Sequence, residues 1–343
     1  TIDLMAAGAV IGKEFDLHLV ARLLNLSESK AVADLEKARA RQLVWHQVET
    51  GKYAFVHDKI REAVLSQLTP ERRRHLHYSI ARLLEQDTPS NIFDLAYHYD
   101  AGGDAANALK YALAAAEQSR AQHALESAEQ QYLIARRSDF LVDQATRYRI
   151  LQGLGEVQML RGRYDAARAS LRAAAIVAEG NDAIAEVQGQ LGELDFKQGE
   201  MAAATETFEQ ALRVLGCHYP PRWPLGHLRV LYEAGVQLLH TLTPRFLTRT
   251  RCREASELDL LKLRLHTRLG YAYWFTQGKI PTFLVHLHGM NYAERYAPTL
   301  ELAQFYSEHV LGMTLFGLFR RSYKYAEQSL AIRRALGDTW GQG

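Results

Sequence analysis

Cysteine is scarce: the 343 residues hold two, Cys217 and Cys252. Two thiols exclude a disulfide framework and any Cys-x-x-Cys metal knuckle, and they fit the reducing interior of a cytoplasmic protein. No apolar run approaches the ~20 residues that a membrane-spanning helix needs, and the first residues lack the pattern of a signal peptide. An excess of one charge is missing too, since 41 Lys and Arg stand against 39 Asp and Glu. An obligate nucleic-acid binder usually carries a plain positive surplus. Proline is absent from Ser90 to Tyr219; its eight copies lie at 70, 89, 220, 221, 224, 244, 281 and 298. What is present is 48% hydrophobic and 23% charged residues, enough for a large core, in a chain longer than one typical domain. The chain opens on Thr1 within an amphipathic stretch and closes on Asp338-Thr339-Trp340-Gly341, which reads as the start of another unit. A piece of a longer protein is the expectation.

The proline-free stretch is rich in Ala, Leu, Gln and Arg, so it is helical by propensity. Gly102, Gly103, Gly162, Gly180, Gly199 and Gly216 fall where short turns would separate helices. Alternation of the β type occurs once, in Leu43–Val48 and Tyr53–Val56 around the turn Glu49-Thr50-Gly51-Lys52, and predicts a hairpin. Before it come helices near Leu17–Leu24 and Glu28–Arg41, the second with Ser27 placed as its cap. After it come helices near Asp58–Gln67 and Glu71–Gln86. Helix, helix, hairpin is the winged-helix order.

Beyond residue 88 the chain repeats itself. Steps of 7, 9, 12, 16 and 19 from Gly155 meet Gly162, Tyr164, Ala167, Leu171 and Ala174. The same steps from Gly192 meet Gly199, Met201, Ala204, Phe208 and Ala211. From Ala96 they meet Gly103, Ala105, Ala108, Ala112 and Ala115, and from Ala116 they meet His123, Leu125, Ala128, Tyr132 and Ala135. Small residues recur where two helices of a hairpin would touch; larger ones at step 16 are expected to fill the groove to the next hairpin. These residue classes resemble the tetratricopeptide repeat. After Cys217 the pattern falters at Pro220, Pro221 and Pro224, and Leu225–Leu242 reads as an apolar helix. Pro244–Arg253 carries Arg245, Arg249, Arg251 and Arg253 without an acid, a solvated loop or a face for an acidic partner or membrane surface. Hairpins resume near Leu269-Gly270, with Tyr273, Gly278, Phe283 and Leu287. A last unit puts Tyr323, Ala326 and Leu330 at steps 9, 12 and 16 from Thr314. The expected fold is mainly α: a winged helix with one β-hairpin (1–88), then an α-solenoid of tetratricopeptide-like helical hairpins. The solenoid divides into repeats at 89–216, an irregular helical insertion at 217–260 and degenerate repeats at 261–343.

Catalytic motifs are missing. Gly8-Ala9-Val10-Ile11-Gly12-Lys13-Glu14 is one residue short of a phosphate loop and has Glu14 where a hydroxyl should hold magnesium, so a turn between helices is expected. Gly153-Leu154-Gly155 lacks a third glycine and lies on a helix. His75/His77 and His286/His288 are i,i+2 pairs that diverge on a helix and cannot share a metal ion. Glu126 and Glu129 read as solvated, and Tyr97, Tyr99, Tyr271, Tyr273, Trp274 and Phe275 as packing between helices. No nucleophile, base and orienting group stand together, so the chain is expected not to be an enzyme in itself. DNA is not an expected partner through this region: residues 1–90 hold 13 Lys or Arg and 12 Asp or Glu. In the second helix Lys30, Lys37, Arg39 and Arg41 face Glu28, Asp34 and Glu36.

One short string has a pointed reading. Phe55-Val56-His57-Asp58 runs from the hairpin into the helix Lys59-Ile60-Arg61-Glu62-Ala63, where Asp58 is a natural cap and His57 a candidate packing residue. Val56-His57-Asp58 at this junction also resembles the Met-His-Asp motif of STAND-class signalling ATPases. The longer string through Arg74-His75-Leu76-His77 and Ile80-Ala81 looks like their bacterial members. In those proteins a nucleotide-binding module precedes a winged helix and a tetratricopeptide-like array, often with a cyclase, histidine kinase or DNA-binding effector. The resemblance implies that His57 reaches the β-phosphate of ADP on an upstream module, with Asp58 holding the turn that aims it. It implies ATP and ADP as cofactors of the parent protein and none within this chain. The implied partners are that module and a protein, peptide or small inducer on the concave face of the solenoid, in the cytoplasm. The competing readings are a freestanding interaction scaffold and the regulatory part of a DNA-binding transcription activator.

Overall fold

The computed structural model describes residues 1–217, 225–242 and 253–342. Pro220, Pro221, Pro224, Pro244, Arg245, Arg249, Arg251 and Cys252 therefore lie outside the described residues. The chain divides into two compact units, Thr1–Ser170 and Leu171–Gly343.

The first unit begins with α1 (Ile2–Ile11), β1 (Glu14–Phe15), α2 (Leu17–Leu23), α3 (Glu28–Ala40), β2 (Val44–His46), β3 (Tyr53–Phe55), α4 (Asp58–Ser66) and α5 (Pro70–Asp87). The antiparallel sheet has the order β1-β3-β2, with Phe15 opposite Tyr53 and Val44 opposite Phe55. The hairpin is where the sequence puts it, and Gly51 turns it at a φ of 68°. The sheet corrects one expectation, because β-structure is not confined to the hairpin. Two residues of β1 are too few to carry a period, so only the pairing with β3 reveals them. Asp16 starts α2 by accepting the backbone N–H groups of His18 and Leu19. Thr69 accepts from Arg72 N–H ahead of Pro70, whose missing N–H costs nothing at the first helical position. Phe15, Leu35, Val44, Tyr53 and Phe55 close the core. Gly8 is no phosphate loop: it lies inside α1, and a Cβ there would come within 2.9 Å of the Phe15 ring.

Helices α6 (Ile92–Gly102), α7 (Ala105–Ala121), α8 (Leu125–Arg137) and α9 (Gln144–Leu160) then pack in succession, followed by α10 (Tyr164–Val177). The step-7 position is left-handed in the four units anchored at Ala96, Ala116, Gly155 and Gly192. Gly103, Gly162 and Gly199 have φ of 80°, 73° and 85°, and His123 holds the same place at 56°. One reversed residue per repeat turns the chain back after each first helix, which is why glycine recurs there. The step-12 residues Ala108, Ala128 and Ala167 are fully buried. At Gly153 the Tyr132 hydroxyl would stand 2.5 Å from a Cβ, so this glycine admits the ring.

The second unit contains α11 (Gly180–Lys197), α12 (Met201–Val214), α13 (Leu225–Leu242), α14 (Glu257–Thr276), α15 (Lys279–Ala293), α16 (Leu300–Leu315) and α17 (Phe319–Ala335). Ser256 and Asp259 form a capping box on α14. Phe208 does more than fill a groove toward the next hairpin. Its ring lies against Gly192 of its own hairpin, where a Cβ would meet it at 2.8 Å, while it also joins Leu265 and Leu269 in the core. Gly289 and Phe305 repeat this pair at the same spacing of sixteen, with the ring 2.5 Å from a Cβ. The last unit is shifted by one residue from the expected register. Ser322, Tyr325 and Ser329 face inward, and Tyr323 is exposed. Tyr99 and Tyr273 pack between helices as expected, whereas Tyr97, Trp274 and Phe275 are exposed because their positions fall on outer faces.

His123→Gly relieves a left-handed side chain at an exposed turn and is expected to stabilise the chain by ~0.5–1 kcal/mol in urea unfolding. Gly192→Val, which drives methyl groups into the Phe208 ring, is expected to cost about 1–3 kcal/mol in the same measurement.

Candidate functional sites

The sheet ends where the chemistry suggested by the sequence begins. Val56 N–H still bonds to Leu43 carbonyl at 3.1 Å, and His57 then caps α4 in an extended conformation, φ −137° and ψ 145°. Asp58 is thus the first residue of α4 rather than its cap. Its carboxylate stands 3.4 Å from Lys13 Nζ and favours the positive end of the helix dipole. His57 makes no side-chain cap bond, and both His57 and Asp58 are exposed. The imidazole therefore stands at a helix start, at the tip of the sheet, without being used in the core.

Helix α5 carries this small domain on one side and the first hairpin on the other. Leu76 and Ile80 pack against Val10, with Leu23 and Leu65 beside them. On the other side Ala81 joins Leu95, Ala96 and Tyr99. Gly102 lets α6 approach so closely that a Cβ would be 2.8 Å from Tyr78 N. Polar contacts bind the same joint. Glu85 accepts Tyr99 and Tyr111 hydroxyls at 2.5 and 2.6 Å, Arg22 pairs with Asp87, and His77 Nδ1 lies 2.9 Å from His98 Nδ1. The Tyr111 and Tyr99 bonds hold the Glu85 carboxyl below its usual range. The two buried imidazoles share one proton across Nδ1···Nδ1, which requires at least one of them to be neutral. Burial, with Arg73 and Arg61 near, lowers His77 to about 4, and burial with His77 near lowers His98 to about 3.

The second unit holds a polar cluster that sequence reasoning missed. Helix α13 is inverted relative to an ordinary surface helix. Glu233 and Gln237 are buried, while Leu228, Leu231, Leu238 and Leu239 on its other face are exposed. Glu233, Gln237 and His240 recur at i, i+4 and i+7, a polar stripe on an apolar helix that the spacing could have disclosed. They meet α15 and its end. His288 Nδ1 donates to Glu233 Oε1 at 2.8 Å, and Asn291 Nδ2 donates to Glu233 Oε2 at 2.7 Å. Gln237 Nε2 donates to Asn291 Oδ1 at 2.6 Å and to Glu294 Oε2 at 2.9 Å. His240 Nδ1 donates to Glu294 Oε2 at 2.5 Å, Tyr306 to Glu294 Oε1 at 2.9 Å, and Tyr325 to Gln237 Oε1 at 3.2 Å. Burial raises the Glu233 carboxyl, but bonds from His288 and Asn291 outweigh it and leave the group below its usual range. Beside this cluster a cavity of about 460 Å³ is lined by Arg229, Tyr232, Glu233, His240, His288 and Arg295, among others.

Among the described residues no three His, Cys, Asp or Glu side chains converge as metal ligands, and no helix is long and apolar enough to cross a membrane. The i,i+2 histidines diverge: His286 stacks on His309 of α16 while His288 meets Glu233. Glu129 is not solvated. It is buried on α8 and held by Arg161 at 2.5 Å and Arg163 at 3.0 Å, a pairing between α8 and the end of α9 that i,i+3 reasoning on one helix could not reveal. Cys217 is a free, half-buried thiol. Of the arginine-rich segment only Arg253 is described, its guanidinium 5.9 Å over the Tyr296 ring.

No protein-family model matches the chain, and no curated protein matches it. Solved structures that are similar to it include BtubC (BKLC) from P. vanneervenii, which is 14% identical with a TM-score of 0.43, over 79% of this chain and 93% of that one. A Signal Transduction ATPase with Numerous Domains (STAND) protein with a tetratricopeptide repeat sensor, from Pyrococcus horikoshii, is 12% identical with a TM-score of 0.37. That match covers 99% of this chain, which spans 51% of that protein's length.

The histidine joint makes stability depend on pH. Unfolded, each imidazole binds its proton near 6.5; folded, His77 does so near 4 and His98 near 3. Between these limits the unfolded chain holds more protons, so stability rises with pH and falls on acidification from about 6.5 toward about 4. His309 and His266 in the second unit, lowered by burial to about 3 and about 4, act in the same direction. Thermal melts between pH 7 and pH 4 should show this fall, and His98→Phe should make it shallower.

Proposed function

We propose that the chain is the regulatory and sensing region of a multidomain signal-transduction ATPase of the STAND class. A ligand or partner binds the helical hairpins, and the small domain of residues 1–88 relays that event to an upstream nucleotide-binding module. The chain itself performs no catalysis in this reading; ATP and ADP are bound by the module, and the setting is the cytoplasm. The observation that carries the reading is the exposed His57 side chain at the start of α4, with no cap bond to occupy it. A histidine kept for the core would be packed, as His77 and His98 are.

In this scheme the resting protein is closed, with His57 donating to the β-phosphate of ADP and Asp58 steadying the backbone through Lys13. Imidazole suits the contact because it donates to phosphate and takes up a proton next to an anion. ATP, or ligand on the hairpins, stabilises the open state, and the output follows the populations. A ligand acts only through its difference in affinity for the two states.

A second reading, a freestanding scaffold for protein partners, draws on the exposed Leu311, Leu315, Phe316, Phe319 and Tyr323 about the α16–α17 turn. One experiment addresses both. The intact parent protein is purified with and without His57→Ala, and bound ADP is measured alongside basal output. Loss of ADP with raised output is expected. ADP retained in the variant refutes the His57 role, and a parent protein that never binds nucleotide leaves the scaffold.

A further inference from the structure

In the wall of the α13–α15 cavity the carboxylates are engaged by internal donors, whereas the guanidinium groups are not. Each carboxylate in its wall is already engaged by internal donors: Glu233 by His288 and Asn291, Glu294 by Gln237, His240 and Tyr306. An ionised carboxylate only accepts, so each of these imidazoles gives its Nδ1–H to its glutamate. The guanidinium groups are in the opposite condition. Arg229 Nε approaches Glu233 Oε1 no nearer than 3.9 Å, which is charge proximity without a hydrogen bond. Arg295 lies over the Tyr292 ring at 5.5 Å, a contact that leaves its N–H groups free to donate. Two forked donors thus stand at the cavity wall beside acceptors that are already occupied.

We propose that this cavity binds a small organic anion, a carboxylate or phosphate held by Arg229 and Arg295, with a compact apolar body against Tyr232 and Val236. The volume of about 460 Å³ lies within the ~300–1,000 Å³ range of small-molecule sites. The forked guanidinium geometry suits the paired oxygens of either anion. His240 Nε2 remains for a ligand hydroxyl, since Nδ1 is committed to Glu294. The buried net of Glu233, Gln237, Asn291 and Glu294 fixes the wall in advance, so little ordering is left for the ligand to impose. Tyr325 ties the same net to α17, so occupancy of the cavity bears on how the last hairpin is held. This deepens the sensing role proposed above by giving the sensor a ligand class. The site itself stands without nucleotide or an upstream module.

The test is calorimetric titration of this chain with phenyl phosphate and benzoate, and with benzylamine as a probe of similar body and opposite charge. The anions, or one of them, should bind saturably at one site at millimolar or lower concentration, and benzylamine should not. Arg229→Gln and Arg295→Gln should each weaken anion binding by about tenfold or more. Arg295 is exposed, so its variant decides the matter if Arg229→Gln does not fold. Saturation by benzylamine equal to the anions, binding unaffected by both substitutions, or no saturable binding by either anion overturns the proposal. Because the titration contains no nucleotide, its failure would leave the His57 reading to its own experiment, and the reverse holds as well.

Discussion

Helix α5 is the constraint on which the first unit depends. A helix at the edge of a domain normally buries one stripe; α5 buries two. Leu76 and Ile80 serve the small sheet-containing domain, and Ala81, His77 and Glu85 serve the first hairpin. Both faces of the helix are buried in close-packed side chains, and close-packed interiors transmit displacement from one side to the other. Residues 1–88 are therefore joined to α6 and α7 through packed side chains rather than through a linker. A Gly-rich or Ser-rich connection would have let the two parts move independently.

Polar groups mark the places where this packing is specific. His77 with His98, Glu85 with two tyrosines, and Glu129 with two arginines each tie together helices that apolar contacts alone would let slide. The second unit takes the device furthest in α13, whose buried face is polar. Such a net is costly unless complete, because each unpaired member loses its water without gaining a partner. Completeness is what the donor and acceptor geometry around Glu233 and Glu294 supplies, and it leaves the adjoining cavity with a fixed wall.

Much of the fold was legible in the sequence because its signals are local. Helix propensity, the proline-free stretch and the glycines at the step-7 turns lie within a few residues of the structure they cause. The hairpin followed from alternation around Gly51. What was not legible depends on partners far along the chain. Strand β1 exists only through β3, Glu129 finds its charge partners in Arg161 and Arg163 of a neighbouring hairpin segment, and the last unit slips one residue as Tyr325 turns inward toward α13. The α13–α15 cavity stayed hidden for a related reason. Read by composition, Leu225–Leu242 is an apolar helix, and the polar stripe of Glu233, Gln237 and His240 gains meaning only once α15 faces it. His57 was visible through a motif, and its exposure could come only from coordinates.

The long reach of the α13 net has a consequence for the order in which the second unit assembles. Gln237 bonds to Asn291 across 54 residues and accepts from Tyr325 across 88, whereas hairpins close over a few tens of residues at most. Contacts that must wait for distant chain to arrive form late and are the first to loosen. The hairpins α14 to α17 would therefore stand before α13 docks, and α13 is the element able to detach while they persist. Detachment would erase the cavity without unravelling its neighbours, so the pocket has an opening free energy of its own, smaller than that of the unit which contains it.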